Sequence, residues 1–407
     1  MHILFLLTQD LESPSGMGRY FPLAREVCRL GHQVSISALH SNYSKLEEQK
    51  FVREGVEINY VSQMHVLKDN SDKIYFPTHK LISVAAKSTI ALSNSALNIP
   101  ADIIHIGKPH PMNSIAGMVA RRIKGRVLFL DVDDHESASS HFSSTWQHSA
   151  LSFFENFTPK RVDHITTHNA YLRQLILNLG ISPEKVTYLP TCVDPERLSK
   201  YDIEEVQRIK SDLNINDKKV VTFIGSLSSP SHPIDLLIQA FEIVNNNYPE
   251  STLLIVGGGE DYYPLMEKVI QTSISKHVQF CGKIAPSKIA NYYKLSDVIV
   301  DPVYNDAAAK GRLPLKLFES WITGVPFVTG DVGDRARVLG TPPAGFLAAA
   351  GDAESLAHGI LEIFLDEETA HRLINRGYER AKRYTWDHQA AKLESVYYQY
   401  LEKGSIN

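Results

Sequence analysis

Cysteine is scarce in this chain: three in 407 residues, Cys28, Cys192 and Cys281, far apart and without CxxC spacing. They offer no disulfide framework and no thiolate metal site, and read as reduced, buried small hydrophobes. A basic excess is also missing. The formal net charge is -4, which argues against a general nucleic-acid binder. Long apolar runs are absent too. The first, Ile3-Leu4-Phe5-Leu6-Leu7, ends after five residues at Thr8-Gln9-Asp10 and has no basic segment before it. That is too short for a signal peptide or a bilayer span. A buried parallel strand fits it better, and a cytoplasmic protein is expected. No short-period repeat or low-complexity tract occurs.

What is present is alternation. The composition, 43% hydrophobic and 22% charged, is that of a soluble globular protein, and the length suits two domains. Short apolar runs alternate with helical patterns almost throughout, the signature of βαβ units and parallel sheets. In the first half strands are expected at Ile3–Leu7, Val34–Leu39, Val56–Val61, Ile103–Ile106, Val127–Leu130, His164–Thr167 and Val186–Leu189. A break follows at Pro190–Pro195, then a polar connection over Ser199–Asp217. The pattern restarts at Val220–Ile224, Thr252–Val256, Val278–Cys281, Val298–Val300 and Pro326–Thr329. The expected fold class is α/β with two doubly wound domains. They cover 1–198 and 199–385, and a last helix, 386–403, returns to the first. Two such sheets leave a cleft, with ligands at the carboxyl ends of the strands.

Charge is unevenly spread. Between Tyr60 and Arg126 lie nine basic and three acidic residues, a surplus of six in a chain whose total is negative. This reads either as a solvated surface or as a face toward anionic lipid or a phosphorylated acceptor.

Loops after strands carry the candidate chemistry. Ser13-Pro14-Ser15-Gly16-Met17-Gly18-Arg19 leads into the first helix, and its glycines allow close backbone approach to a ligand. Asp131-Val132-Asp133-Asp134-His135-Glu136 places four acids within six residues. Helix capping accounts for at most one of them. The others can bind a cation, act as a base or hold sugar hydroxyls. Lys310-Gly311-Arg312-Leu313-Pro314-Leu315-Lys316-Leu317-Phe318-Glu319 opens a helix with no capping residue and with Lys316 in its first turn. That placement is unfavourable unless an anion lies nearby. Glu319, three positions on, shares the helix face with Lys316 and can accept from a ribose diol. Gly225-Ser226-Leu227, Gly257-Gly258-Gly259 and Gly282-Lys283-Ile284 each follow an expected strand, where backbone groups can meet a nucleotide.

In order, these loops resemble the group 1 glycosyltransferases, also called glycosyltransferase family 4, which have the GT-B fold. Phe223-Ile224-Gly225-Ser226-Leu227, Leu254–Gly259, Val278–Gly282 and above all Leu315–Pro326 carry the resemblance. It implies retaining transfer from a nucleotide-activated sugar, UDP- or GDP-linked, to a saccharide, lipid-linked or small-molecule acceptor. No metal or other cofactor is implied. Glu319 matches the ribose-binding glutamate and Ile284 the position whose backbone meets the base. Leu317 and Lys310 fall in the donor segment, and Gly16, Met17 and Gly18 match the loop near donor phosphate and acceptor. The segment ending at Asp133-Asp134 matches a loop where many relatives carry a functional histidine, with His135 a second substitute. The sequence departs from the family at Gly311, where a first glutamate is usual, and at Ser226 and His232, where an Arg and a Lys bind diphosphate. Arg312 and Lys316, with Lys310, are expected to supply that charge instead. Two other readings remain open: a catalytically silent sugar-nucleotide-binding subunit, and a nucleotide-sugar epimerase.

Overall fold

The computed structural model describes residues 1–69, 72–140, 142, 144–228 and 232–404. It divides into two compact units, Met1–Thr191 with Trp386–Asn407, and Cys192–Thr385. The division falls after Thr191 rather than after 198, because Val193 bridges to Thr385 and the helix Pro195–Leu198 packs on the helix Leu315–Thr323 of the second unit.

The first unit contains strands β1 (His2–Leu7), β2 (Gln33–His40), β3 (Lys50–Arg53), β4 (Val56–Gln63), β5 (Val66–Asp69), β6 (Asp72–Tyr75), β7 (Ile103–Gly107), β8 (Val127–Val132), β9 (His164–Thr167) and β10 (Val186–Tyr188). Eight of them form one sheet in the order β10-β9-β8-β7-β1-β2-β4-β3, and β5 pairs with β6 apart from it. All neighbours in the sheet are parallel except β3 and β4. Every residue of β1 is buried, as expected of a central strand covered by helices on both faces. The exposed edge strand β3, the β5–β6 hairpin and the three-residue strand Phe346–Ala348 were not expected, since none buries a long apolar run.

The second unit contains β11 (Lys219–Ile224), β12 (Ser251–Val256), β13 (Val278–Gly282), β14 (Val298–Asp301), β15 (Phe327–Gly330) and β16 (Phe346–Ala348). Their order is β13-β12-β11-β14-β15-β16 and every pair is parallel. This is the 3-2-1-4-5-6 order of a doubly wound sheet, whose topological switch point lies between β11 and β14. The first sheet reverses in the same way between β1 and β7. The stretch read as a polar connection holds a helix, Ile203–Asp212, capped by Asp202, whose carboxylate accepts from the N–H groups of Glu204 and Glu205. It buries Val206 and packs Ile209 and Leu213 against the core, a narrow apolar face on an otherwise polar helix.

The last helix, Trp386–Gly404, packs on the helix Phe21–Arg29 in the first unit. Its Tyr397 Oη lies 2.6 Å from His105 Nδ1, and Tyr400 Oη lies 3.1 Å from His164 Nδ1. Burial pushes both imidazoles down to about 4, so the fold holds them neutral. In the unfolded chain they titrate near their ordinary value of about 6.5. Protons therefore bind the unfolded state first, and stability falls as pH drops from about 6.5 toward 4. The full effect is about 3 kcal/mol per histidine. Urea midpoints measured from pH 7 to 4.5 should decline steeply through this window, and less so for His105→Asn. A flat profile would contradict the assignment.

Candidate active site

In the second unit the switch point gathers the carboxyl ends of β11 and β14. Gly225 N–H donates to Val256 O at 2.9 Å, Leu227 N–H to Gly258 O at 3.0 Å, and Gly257 N–H to Gly282 O at 2.9 Å. The three glycine-bearing loops thus brace one another. Gly257 has φ +149, and a Cβ there would lie 1.8 Å from Gly225 O. Loop-to-loop packing therefore demands this glycine. Ser226 stands half-buried at the end of β11, and Ile284 packs against the core beneath the sheet's edge.

The strand β14 ends on Asp301, which is fully buried. Lys316 Nζ lies 2.9 Å from its Oδ1, Arg312 Nη2 3.2 Å from the same oxygen, and Arg335 Nη2 3.0 Å from Oδ2. Arg335, itself fully buried, also donates to Ala309 O at 2.9 Å and Arg312 O at 3.4 Å. It fastens the segment that carries Arg312. Lys316 sits over the Phe223 ring, 4.0 Å from its centroid, which sets the cluster against the end of β11. Burial pulls the Lys316 ammonium down to about 8, with Asp301 opposing. His232 is held well below its ordinary value by burial and by Arg312 and Lys316, so it adds no charge. Three cations around one carboxylate leave a positive surplus in a buried setting, where an anion is strongly favoured.

Lys316 and Glu319 do not pair with each other. Glu319 is buried; its Oε2 accepts from Tyr293 Oη at 2.6 Å, and its Oε1 pairs with Arg197. Leu317, expected at the donor, points into the core with its side chain fully buried, and its N–H donates to Pro314 O. Its placement leaves no side-chain contact to offer. Lys310 lies in the last turn of the short helix Ala307–Gly311. Pro314 stands at the N-cap of the following helix and provides no side-chain cap, as the sequence suggests.

The first unit has a second charged cluster at its own switch point. Lys108, just beyond β7, has φ +68. Its Nζ lies 2.5 Å from Glu136, 3.0 Å from Asp134 and 3.4 Å from Asp133. His110 Nε2 is 3.1 Å from Glu136, and His110 Nδ1 is 2.8 Å from Thr8 Oγ1 at the end of β1. Burial, then the neighbouring acids, push the Asp133 carboxyl up to about 7, against the pull of Lys108. Asp131 stands apart: Arg19 binds it in a fork at 2.6 and 2.7 Å, and Thr166 donates to it at 2.5 Å. The four-acid run therefore separates into one structural carboxylate and three around a lysine. Those three could group about a cation, but the Lys108 ammonium occupies the position between them.

The loop Gly16–Gly18 lies in a turn of π-helix, Gly16–Tyr20, that runs into the first helix. Gly16 N–H donates to Ser13 Oγ and Met17 N–H to Ser13 O. A Cβ on Gly16 would meet Asp10 O at 2.3 Å, so the close approach of the preceding turn requires this glycine. The basic surplus of the sequence shrinks as well: Lys68 pairs with Asp10, Arg121 with Asp163, and Lys108 is buried among acids. Asp301, Arg335, Arg197, Tyr293, Lys108 and His110 were all absent from the expected site. Lys108 and Asp301 each lie just past an expected strand, Ile103–Ile106 and Val298–Val300, and that position was the available signal.

The family model for glycosyl transferases group 1 matches residues 205–380, and that for glycosyltransferase family 4 matches residues 14–197. The chain belongs to the group 1 glycosyltransferases. It is 23% identical over 337 residues to an alpha-galactosylglucosyldiacylglycerol synthase of Streptococcus pneumoniae, covering 80% of this chain and 83% of that one. Among solved structures, a sucrose-phosphate synthase of Thermosynechococcus elongatus superimposes with TM-score 0.76 at 16% identity, covering 99% of both chains. The HepE protein of Anabaena, solved with UDP-glucose, gives TM-score 0.72 at 18% identity, covering 97% of this chain and 99% of that one. The fold of this glycosyltransferase is thus GT-B, and the enzyme transfers sugars. Among the described residues no helix is long and apolar enough to cross a membrane.

Proposed function

We propose that this glycosyltransferase transfers a sugar, with retention, from a UDP- or GDP-sugar to a saccharide or lipid-linked acceptor. The surplus of positive charge around Asp301 carries the reading, because it stands at the switch point of a doubly wound sheet and takes a diphosphate. Arg312 and Lys316 stabilise the charge that develops on the departing diphosphate, and Lys310 lies in the segment leading to Arg312. Glu319 receives the ribose diol, the Ile284 backbone faces the base, and Gly225, Ser226, Gly257 and Gly258 frame the phosphates.

The C1–O bond to the diphosphate breaks and a C1–O bond to the acceptor forms on the same face, while the acceptor's proton leaves with the diphosphate. In the first unit, Asp133 and Asp134 are the candidate catalytic carboxylates, and Gly16, Met17 and Gly18 form the candidate ligand-binding loop. No metal is proposed, since the Lys108 ammonium already stands among Asp133, Asp134 and Glu136, where a cation would lie. The name of the streptococcal relative supports a glycolipid acceptor, and with it peripheral contact with a membrane. Gly311, Ser226 and His232 are the residues that favour the silent subunit, and the cations around Asp301 count against it. The test is the product anomer, read by proton NMR after turnover with α-linked UDP- and GDP-sugars and a diacylglycerol glycolipid. An α-linked product is expected, and a β-linked product overturns retention.

A further inference from the structure

We propose that Arg197 and Tyr293 set the preference for a ribonucleotide at the donor site, by positioning Glu319. The inference rests on the reading of Glu319 as the ribose acceptor. Glu319 projects from the helix Leu315–Thr323 and is 5% exposed. A carboxylate so placed must be partnered, and its orientation is fixed by whatever partners it. Here each oxygen has one protein donor: Tyr293 Oη on Oε2 and Arg197 on Oε1. An ionised carboxylate has about four acceptor sites, so one position on each oxygen stays open. Two open positions side by side match the two hydroxyls of a vicinal diol.

The two partners differ in kind. Tyr293 is fully buried and belongs to the helix Ile289–Lys294, so its hydroxyl is a fixed point. Arg197 comes from the short helix Pro195–Leu198 and keeps 20% of its side chain exposed, so it reaches from Glu319 to the surface. Its Nε–H is enclosed and has no hydrogen-bond partner. The guanidinium thus meets the carboxylate through one nitrogen, and its charge and reach fix where Oε1 points. A purely mechanical tie between helices would be served as well by an apolar pair, since a buried ion pair holds little advantage in stability. Here the pair fixes the direction in which a charged acceptor points.

The experiment is calorimetric titration of UDP, GDP and their 2′-deoxy analogues into the full-length wild type, Arg197→Ala, Arg197→Lys and Tyr293→Phe. Wild type should prefer the ribonucleotide by about tenfold or more, because losing one hydroxyl strands a charged acceptor. In Arg197→Ala and Tyr293→Phe the preference should fall to within about threefold, chiefly through weaker ribonucleotide binding. Arg197→Lys should recover part of it by restoring the charge without the fork. Tyr293→Phe keeps the ring in the core, so it guards against loss of fold in the alanine variant. Equal weakening of ribo- and deoxynucleotide, or an unchanged preference in both variants, would mean a merely structural tie and overturn the inference. A wild type that binds ribo- and deoxynucleotides alike overturns it as well. A wild type that binds no nucleotide overturns the donor-site reading itself.

Discussion

Replacing Lys316 with alanine should lower kcat/KM for the nucleotide sugar by about 10²–10³, the usual cost of removing one preorganised charge from a developing anion. The fold should survive. Asp301 keeps Arg312 and Arg335 as partners, so no buried carboxylate is left bare. That separates catalysis from stability, which a more drastic change could not do. Steady-state kinetics beside a thermal melt provide the check: unchanged kcat/KM in a folded variant would remove Lys316 from the diphosphate site. The loss should appear in kcat as well as KM, since the leaving group gains charge as the sugar departs.

Asp301→Asn should have the opposite character. It removes the carboxylate that Lys316, Arg312 and Arg335 share and leaves three cations facing one another. Breaking a buried ion pair by removing one partner costs about 3–5 kcal/mol, and here three pairs lose the same partner. The Lys316 ammonium, already drawn down to about 8, would release its proton more readily still. Urea denaturation should show the second unit unfolding at markedly lower denaturant than in wild type. A diphosphate-bearing nucleotide should restore part of the stability by replacing the missing negative charge. A loss below about 1 kcal/mol would show that the cations are solvated and that Asp301 does not organise them.

The same cluster shows how much of the site was legible in the sequence. The central β-strands were, because a strand covered on both faces reads as an unbroken apolar run, as in Ile3–Leu7 and Leu253–Val256; the short β3, β5, β6 and β16 were not. Arg312, Lys316 and Glu319 were legible from an uncapped helix start with cations around it. Asp301 was not: a single acid after Val298-Ile299-Val300 reads as the polar end of a strand. Its partners lie 11, 15 and 34 positions away, and only the sheet order brings them together. Lys108 counted toward a basic surface because nothing local distinguishes a buried lysine from a solvated one. Its three carboxylates arrive from the next strand's loop. The helix Ile203–Asp212 has an apolar face, Val206, Ile209 and Leu213, but the charged residues around it read as a polar connection.

The central claim is that the second unit holds a nucleoside diphosphate through the cations around Asp301. Calorimetric titration of UDP, GDP and ADP into wild type and Lys316→Ala tests it most directly. One nucleotide should bind wild type and lose affinity by about tenfold or more in the variant, in keeping with a charge-assisted contact. Equal affinity in the two proteins, or no binding of any nucleotide to wild type, would contradict it.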